Sequence, residues 1–119
     1  MKRILVVEDD PIQQQHLCSV LKALDAQITV VNDGSAAVQA AERDQPDLIL
    51  MDIIMPGIDG FAACRSITNG AHTKQIPVLI VSSKNQQADR VWAQLQGAQA
   101  LIGKPYTDAE MLAQVNAYL

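Results

Sequence analysis

Aromatic side chains make up only 3% of this 119-residue chain, with one Phe, one Trp and two Tyr. Its core must therefore be aliphatic, drawn from Val, Ile, Leu, Ala and Met. Long hydrophobic runs are also missing. No stretch approaches the ~20 apolar residues of a membrane span, which excludes a transmembrane helix. The opening Met1-Lys2-Arg3-Ile4-Leu5-Val6-Val7 meets Glu8, Asp9 and Asp10 too soon to form the apolar region of a secretory signal, so a cytoplasmic location is expected. Nor is there an excess of positive charge: 9 Lys and Arg face 13 Asp and Glu, a formal net charge of −4. That balance disfavours broad binding to a phosphate backbone, so neither nucleic acid nor membrane is expected as a direct partner. Cysteine is limited to Cys18 and Cys64, both inside predicted helices and without metal-ligand spacing. They read as buried free thiols of a reducing compartment, an expectation that both side chains lie in the core. Repeats, low-complexity tracts and linkers are absent, and the chain reads as one domain over 1–119.

What is present is a strict alternation of two periods. Ile4 to Val7, Ile28 to Val31, Leu48 to Met51, Val78 to Val81 and Ala100 to Ile102 are short apolar runs of the kind a doubly covered strand needs. Between them lie helical segments. Asp10 before Pro11 is a cap followed by a first-position proline, and Ile12, His16, Val20 and Leu24, with Leu17 and Leu21, form an amphipathic pattern. Ser35 to about Asp44 is Ala-rich, with Ala37, Val38 and Ala41 as its packing face. Gly60 to Asn69 offers Phe61, Cys64 and Ile67, and Gln86 to Gln96 offers Ala88, Val91, Trp92 and Leu95. The last helix opens on Thr107 and Glu110, spaced as a capping box, and carries Met111, Leu112, Val115 and Leu119.

Five strands alternating with five helices, joined by short connections, predict an α/β fold: a five-stranded parallel sheet covered on both faces. Periodicity does not reveal the strand order. The known solution for five such units is a three-layer (βα)5 flavodoxin-like fold of order 2-1-3-4-5, in which strands one and three are neighbours.

In that order the strand ends place chemistry on one edge. Asp52 closes the third run, and its charge is costly there unless paired. It is either a buried cap or a functional carboxylate. Glu8 and Asp9 follow the first strand, so three carboxylates converge, and at an effective dielectric near 20 each close pair costs on the order of 4 kcal/mol. A hard divalent cation with oxygen ligands and room for water, of the Mg²⁺ type, relieves this. Ser82 and Lys104 follow the fourth and fifth strands, adding a hydroxyl and a cation suited to a phosphoryl group. Taken singly, Lys104 reads as a solvated lysine and Ser82 as a strand-end cap.

These residues resemble the response-regulator receiver domain, the phosphoacceptor module of two-component signalling. The likeness spans essentially the whole chain. It rests on Val-Val-Glu-Asp-Asp at 6–10, Met-Asp-Ile-Ile-Met-Pro-Gly-Ile-Asp-Gly at 51–60, Ser82, and Lys104-Pro105. The resemblance implies that Asp52 is the phosphoacceptor. Asp9, Asp52 and the backbone carbonyl of Ile54 would ligate Mg²⁺, with Glu8 acting through water. Ser82 and Lys104 would be the switch and phosphoryl-binding residues, and the bond before Pro105 would be cis. The phosphodonor would be a sensor histidine kinase or phosphotransfer domain, and signalling would pass to a protein partner through the face of helix four, strand five and helix five. Ser82-Ser83-Lys84, Asp89 to Trp92 and Gln96 to Ala98 are similar to small stand-alone regulators of type IV pilus twitching motility. No effector region follows the last helix, so output is expected through protein binding. A phosphate sink and the receiver portion of a longer transcriptional regulator are the alternatives.

Two positions depart from the family pattern. Leu101 stands where the family often has an aromatic switch, so Leu101 and Trp92 become candidates for the partner face, with half-buried packing the other reading of Trp92. Ile54 and Lys84 flank the expected path of an attacking water. An apolar Ile54 orients no water, which predicts slow self-dephosphorylation. Three rival readings fare worse. A haloacid-dehalogenase-type phosphatase needs a second Asp where Ile54 stands. An FMN carrier needs a loop that Glu8-Asp9-Asp10 would make repulsive. A pseudo-receiver would lack the site that Asp9, Asp52, Ser82 and Lys104 keep.

Overall fold

Alternate residues of the strands turn to opposite faces of one parallel sheet, and this alternation sorts the core into two halves. In the computed structural model, which describes residues 1–54 and 60–119, the elements are β1 (Lys2–Val7), α1 (Pro11–Leu21), β2 (Ala26–Val31), α2 (Gly34–Asp44), β3 (Leu48–Met51), α3 (Gly60–Asn69), β4 (Val78–Ser82), α4 (Gln87–Leu95), β5 (Ala100–Gly103) and α5 (Asp108–Tyr118). The strand order is β2-β1-β3-β4-β5, as expected. Ile4, Val6, Leu48, Leu50, Leu79, Val81 and Ile102 pack under α1 and α5. Leu5, Val7, Ile49, Met51, Val78, Ile80 and Leu101 pack under α2, α3 and α4. β3 and β4 are buried throughout because both faces are covered, while edge strand β2 is only partly buried. No helix is long and apolar enough to cross a membrane among the described residues. The turn expected at Pro56 and Gly57 lies outside them.

Caps set the helix starts. The Asp10 carboxylate accepts from the Gln13 N–H, Asp33 from Ala36, and Thr107 from Glu110 at 3.0 Å. Two expected packing faces are corrected. In α1 the buried residues are Leu17, Val20 and Leu21, whereas Ile12 is 76% exposed, His16 is exposed and Leu24 falls past the helix end. Its first turn stands at the sheet edge, where it has less to cover. The correction in α4 is larger. Only Ala93 of that helix is buried, while Val91, Trp92 and Leu95 are 44%, 51% and 69% exposed and Ala88 is exposed too.

The rotation of α4 has visible causes. Asp89 is turned back to accept from the Gln86 N–H at 3.1 Å. At the other end the Gln96 carbonyl receives the Thr68 hydroxyl at 2.9 Å and the Cys64 thiol at 3.4 Å. Those ties put the small Ala93 inward and send the bulky apolar residues out. Gly97, at φ +93°, permits the close approach, since a Cβ there would meet the Thr68 side chain.

Leu101 is corrected as a partner-face candidate. It is buried, 8% exposed, in the core shared with Ala93 and Ala98. Cys64 is fully buried, and burial pushes its thiol up to about 12. The neutral thiol is favoured by the fold, so stability declines as pH rises above the ordinary thiol value. At pH 8 a disulfide-exchange reagent should therefore titrate no more than one thiol, Cys18, with the second appearing on unfolding. Rapid reaction of both in the native protein would contradict the burial of Cys64.

Candidate functional site

Backbone hydrogen bonds continue each strand by one residue and thereby aim the side chains. The Glu8 N–H donates to the Val31 carbonyl at 3.1 Å, the Asp52 N–H to Val7 at 3.0 Å, and the Lys104 N–H to Ser82 at 2.9 Å. Register puts Val7 opposite Met51, Met51 opposite Ile80, and Ser82 opposite Gly103. Glu8, Asp9, Asp52 and Lys104 consequently reach one edge, where a cleft of about 590 Å³ opens between the strand ends and α1.

One carboxylate oxygen from each of Glu8, Asp9 and Asp52 lies within 4.8 Å of the others. Glu8 is buried, Asp52 half-buried and Asp9 exposed. Asp52 Oδ1 accepts from the Ile53 N–H at 2.7 Å, and Oδ2 lies 3.5 Å from Lys104 Nζ. Glu8 accepts from Lys104 Nζ at 2.9 Å and from the Asp10 N–H at 3.2 Å. Burial pushes the Glu8 carboxyl above its ordinary range. The Lys104 ammonium and Asp10 N–H draw it back, and the Asp52 charge pushes it up again. Lys104 thus serves as an internal counter-ion to two carboxylates. The donor set is all oxygen, with no nitrogen or sulfur ligand, which fits a hard cation.

The remaining expected residues divide. The Lys104–Pro105 bond is cis, as expected. Ile54 is at the site and 60% exposed. Ser82 is fully buried, and its Oγ accepts from the Lys84 N–H at 3.0 Å, while Ser83 lines the cleft. Trp92 stands apart on α4, its ring edge-on to Phe61 with centroids 6.3 Å apart. Sequence reasoning missed Gln13, whose side-chain oxygen accepts from Lys104 Nζ, and Gln14, whose amide bridges the Glu8 carbonyl and Asn32 at 2.8 Å. Their signal was available: the first turn after a cap at Asp10 must lie over the same strand ends. His16 and Tyr106 close the far side of the cleft, with ring centroids 5.5 Å apart.

This parallel sheet, carrying an acidic cluster and a lysine at its carboxyl edge, is matched over residues 4–116 by the model of the response regulator receiver domain, and the chain belongs to that family. Receiver domains take phosphoryl groups from histidine kinases. Among individual relatives, Protein PilH of Pseudomonas aeruginosa is 40% identical over 119 residues, covering 100% of this chain and 98% of PilH. Response regulator PleD of Caulobacter vibrioides is 36% identical over 97% of this chain, which spans only 25% of PleD. Among solved structures, the receiver domain of a Pseudomonas aeruginosa sensor histidine kinase is 32% identical, with a TM-score of 0.91 over 98% of this chain and 96% of the other. That domain has a magnesium ion coordinated in its active site cleft.

Proposed function

We propose that the chain is a phosphoacceptor, in which Asp52 takes a phosphoryl group from a sensor histidine kinase, a phosphotransfer domain or a small phosphodonor. The observation that carries this is the convergence of Glu8, Asp9 and Asp52 within 4.8 Å, with Lys104 Nζ 3.5 Å from Asp52. Asp9, Asp52 and the Ile54 carbonyl would hold Mg²⁺, with Glu8 acting through water. The bound ion neutralises charge among the carboxylates and on the phosphoryl oxygens.

The residues of the chain do the rest. Asp52 Oδ2 is the oxygen turned toward Lys104, and Oδ1 is occupied by the Ile53 N–H, so Oδ2 is the attacking atom. A carboxylate nucleophile needs no base. A P–O bond to Asp52 forms as the bond to the donor's nitrogen or oxygen breaks. Lys104 exchanges Glu8 for the new phosphoryl oxygens, and Ser82, whose Oγ accepts from the Lys84 N–H, turns its hydroxyl proton to the same group, changing the surface of α4, β5 and α5. Output would pass to a protein partner, and the motifs at 82–84, 89–92 and 96–98 support type IV pilus twitching motility as the setting.

Intact mass after incubation with acetyl phosphate and Mg²⁺ tests the reading. A gain of one phosphoryl group is expected, and no gain with any donor would leave a plain interaction module. The acyl phosphate should also be long-lived, because the exposed Ile54 side chain orients no water. Ile54→Asn, which can hydrogen-bond a water, should hydrolyse faster than the parent. Slower hydrolysis in that variant would count against the assignment.

A further inference from the structure

The outward stripe of α4 is an apolar feature that the phosphoacceptor site does not use. Val91, Trp92 and Leu95 are three of the exposed large hydrophobics, and they fall within a single helical turn and a half. At 3.6 residues per turn they form one ridge, with Ala88 at its head. The ridge leans toward α3. Trp92 rests edge-on against half-buried Phe61 on that side, whereas Arg90 on the opposite flank donates to the Leu101 carbonyl of β5 at 2.9 Å. Below Trp92 the two helices are joined by Arg65, whose guanidinium meets Gln96 at 3.3 Å, and by Thr68. The apolar surface therefore lies over the α3–α4 seam, next to but distinct from the surface of α4, β5 and α5.

Charge is segregated in the same sense. From Gly60 to Thr107 the sequence carries the cations Arg65, Lys74, Lys84, Arg90 and Lys104 against one carboxylate, Asp89, although the whole chain is net −4. Asp89 is occupied at the start of α4. Arg65 on the α3 side, Arg90 on the β5 side and Lys84 at the N-terminal end are exposed around the ridge. An apolar centre ringed by cations suits an apolar ligand with an acidic rim. A nucleic acid would leave the centre unsatisfied. A second copy docked about a twofold axis would bring this cation-ringed face against an identical cation-ringed face.

We propose that the α3–α4 seam is a docking site for an acidic amphipathic helix of a protein partner, anchored on Trp92 and Leu95. The inference rests on the surface of α4 and α3 alone, so it stands apart from the phosphoacceptor reading.

Trp92 is the one tryptophan of the chain and reports its own burial. The probe is a synthetic helical peptide of about 18 residues, long enough to hold some helix alone, with Leu at i, i+3, i+4 and i+7 and Glu beside them. It is titrated into unphosphorylated protein in EDTA, so a failure of Asp52 to accept phosphate would not touch the result. A saturable shift of emission to shorter wavelength is expected. Leu95→Ser should weaken binding about tenfold or more, as loss of an anchor does, with circular dichroism checking that the variant is folded. Arg65→Glu, high salt, or Lys in place of Glu in the peptide should also weaken it. The proposal is overturned by no shift, by equal binding of a scrambled peptide, by unchanged affinity in folded Leu95→Ser, or by a shift that sedimentation traces to self-association.

Discussion

Asp52→Asn should gain no phosphoryl mass from acetyl phosphate and Mg²⁺, and Asp9→Asn should be labelled at least about 100-fold more slowly than the parent, the order expected when charge stabilisation at a transferring phosphoryl group is removed. The two losses have different origins. An amide at position 52 keeps the shape and the bond from the Ile53 N–H but has no anionic oxygen with which to attack. An amide at position 9 leaves the nucleophile intact and withdraws an exposed carboxylate from the cluster of three. Raising Mg²⁺ should therefore recover part of the rate in Asp9→Asn and none in Asp52→Asn. Label persisting in Asp52→Asn at the parental level would move the acceptor elsewhere. Equal Mg²⁺ dependence in parent and Asp9→Asn would remove Asp9 from the ligand set.

The second large effect comes from a residue with no side chain. The Gly60 N–H donates to the Ile53 carbonyl at 3.0 Å, so α3 begins pressed against the backbone that carries Asp52. A Cβ at Gly60 would collide with the Asp52 carbonyl oxygen and Ile53 Cα, and would lie 2.9 Å from the Asp52 carbonyl carbon. All three are main-chain atoms, so no rotamer change relieves the clash. Gly60→Ala should cost about 3 kcal/mol, at the upper end for overpacking, and lower Tm by about 10 °C. Phosphorylation should slow as well, because the shift displaces Asp52. A thermal melt within a degree or two of the parent would show that α3 can back away freely.

Most of the fold was legible because two periods that do not interfere carried it. Leu48–Met51 and Gly60–Asn69 have the same bounds in the sequence reading and the structure. Strand order was not readable from periodicity and came from the known solution for five such units, in part through the resemblance. The site was legible to the extent that it is built from strand ends: Glu8, Asp9, Asp52 and Lys104 meet because parallel register delivers consecutive strand termini to one edge. What escaped depended on rotation and on alternative partners. The α4 pattern Ala88, Val91, Trp92 and Leu95 has the period of a buried face, but periodicity does not say which way a stripe points. Asp89, Gln96 and Thr68 decide that, through contacts a sequence does not display. Likewise Lys104 was expected on a phosphoryl group, and the periodicity gave no sign of its bonds to Glu8 and Gln13.

The two ends of α4 are fastened unequally. Three side chains of α3, those of Cys64, Arg65 and Thr68, converge on Gln96 at its C-terminal end. The loop entering its N-terminal end is tied to β4 through the Lys84 N–H and the Ser82 hydroxyl, the group expected to change partners on phosphorylation. Arg90, near the same end, adds a bond to the Leu101 carbonyl of β5, so each end of the helix answers to a different neighbour: the C-terminal end to α3, the N-terminal end to β4 and β5. A change at Ser82 would therefore reach the Val91–Trp92–Leu95 ridge at its N-terminal end first.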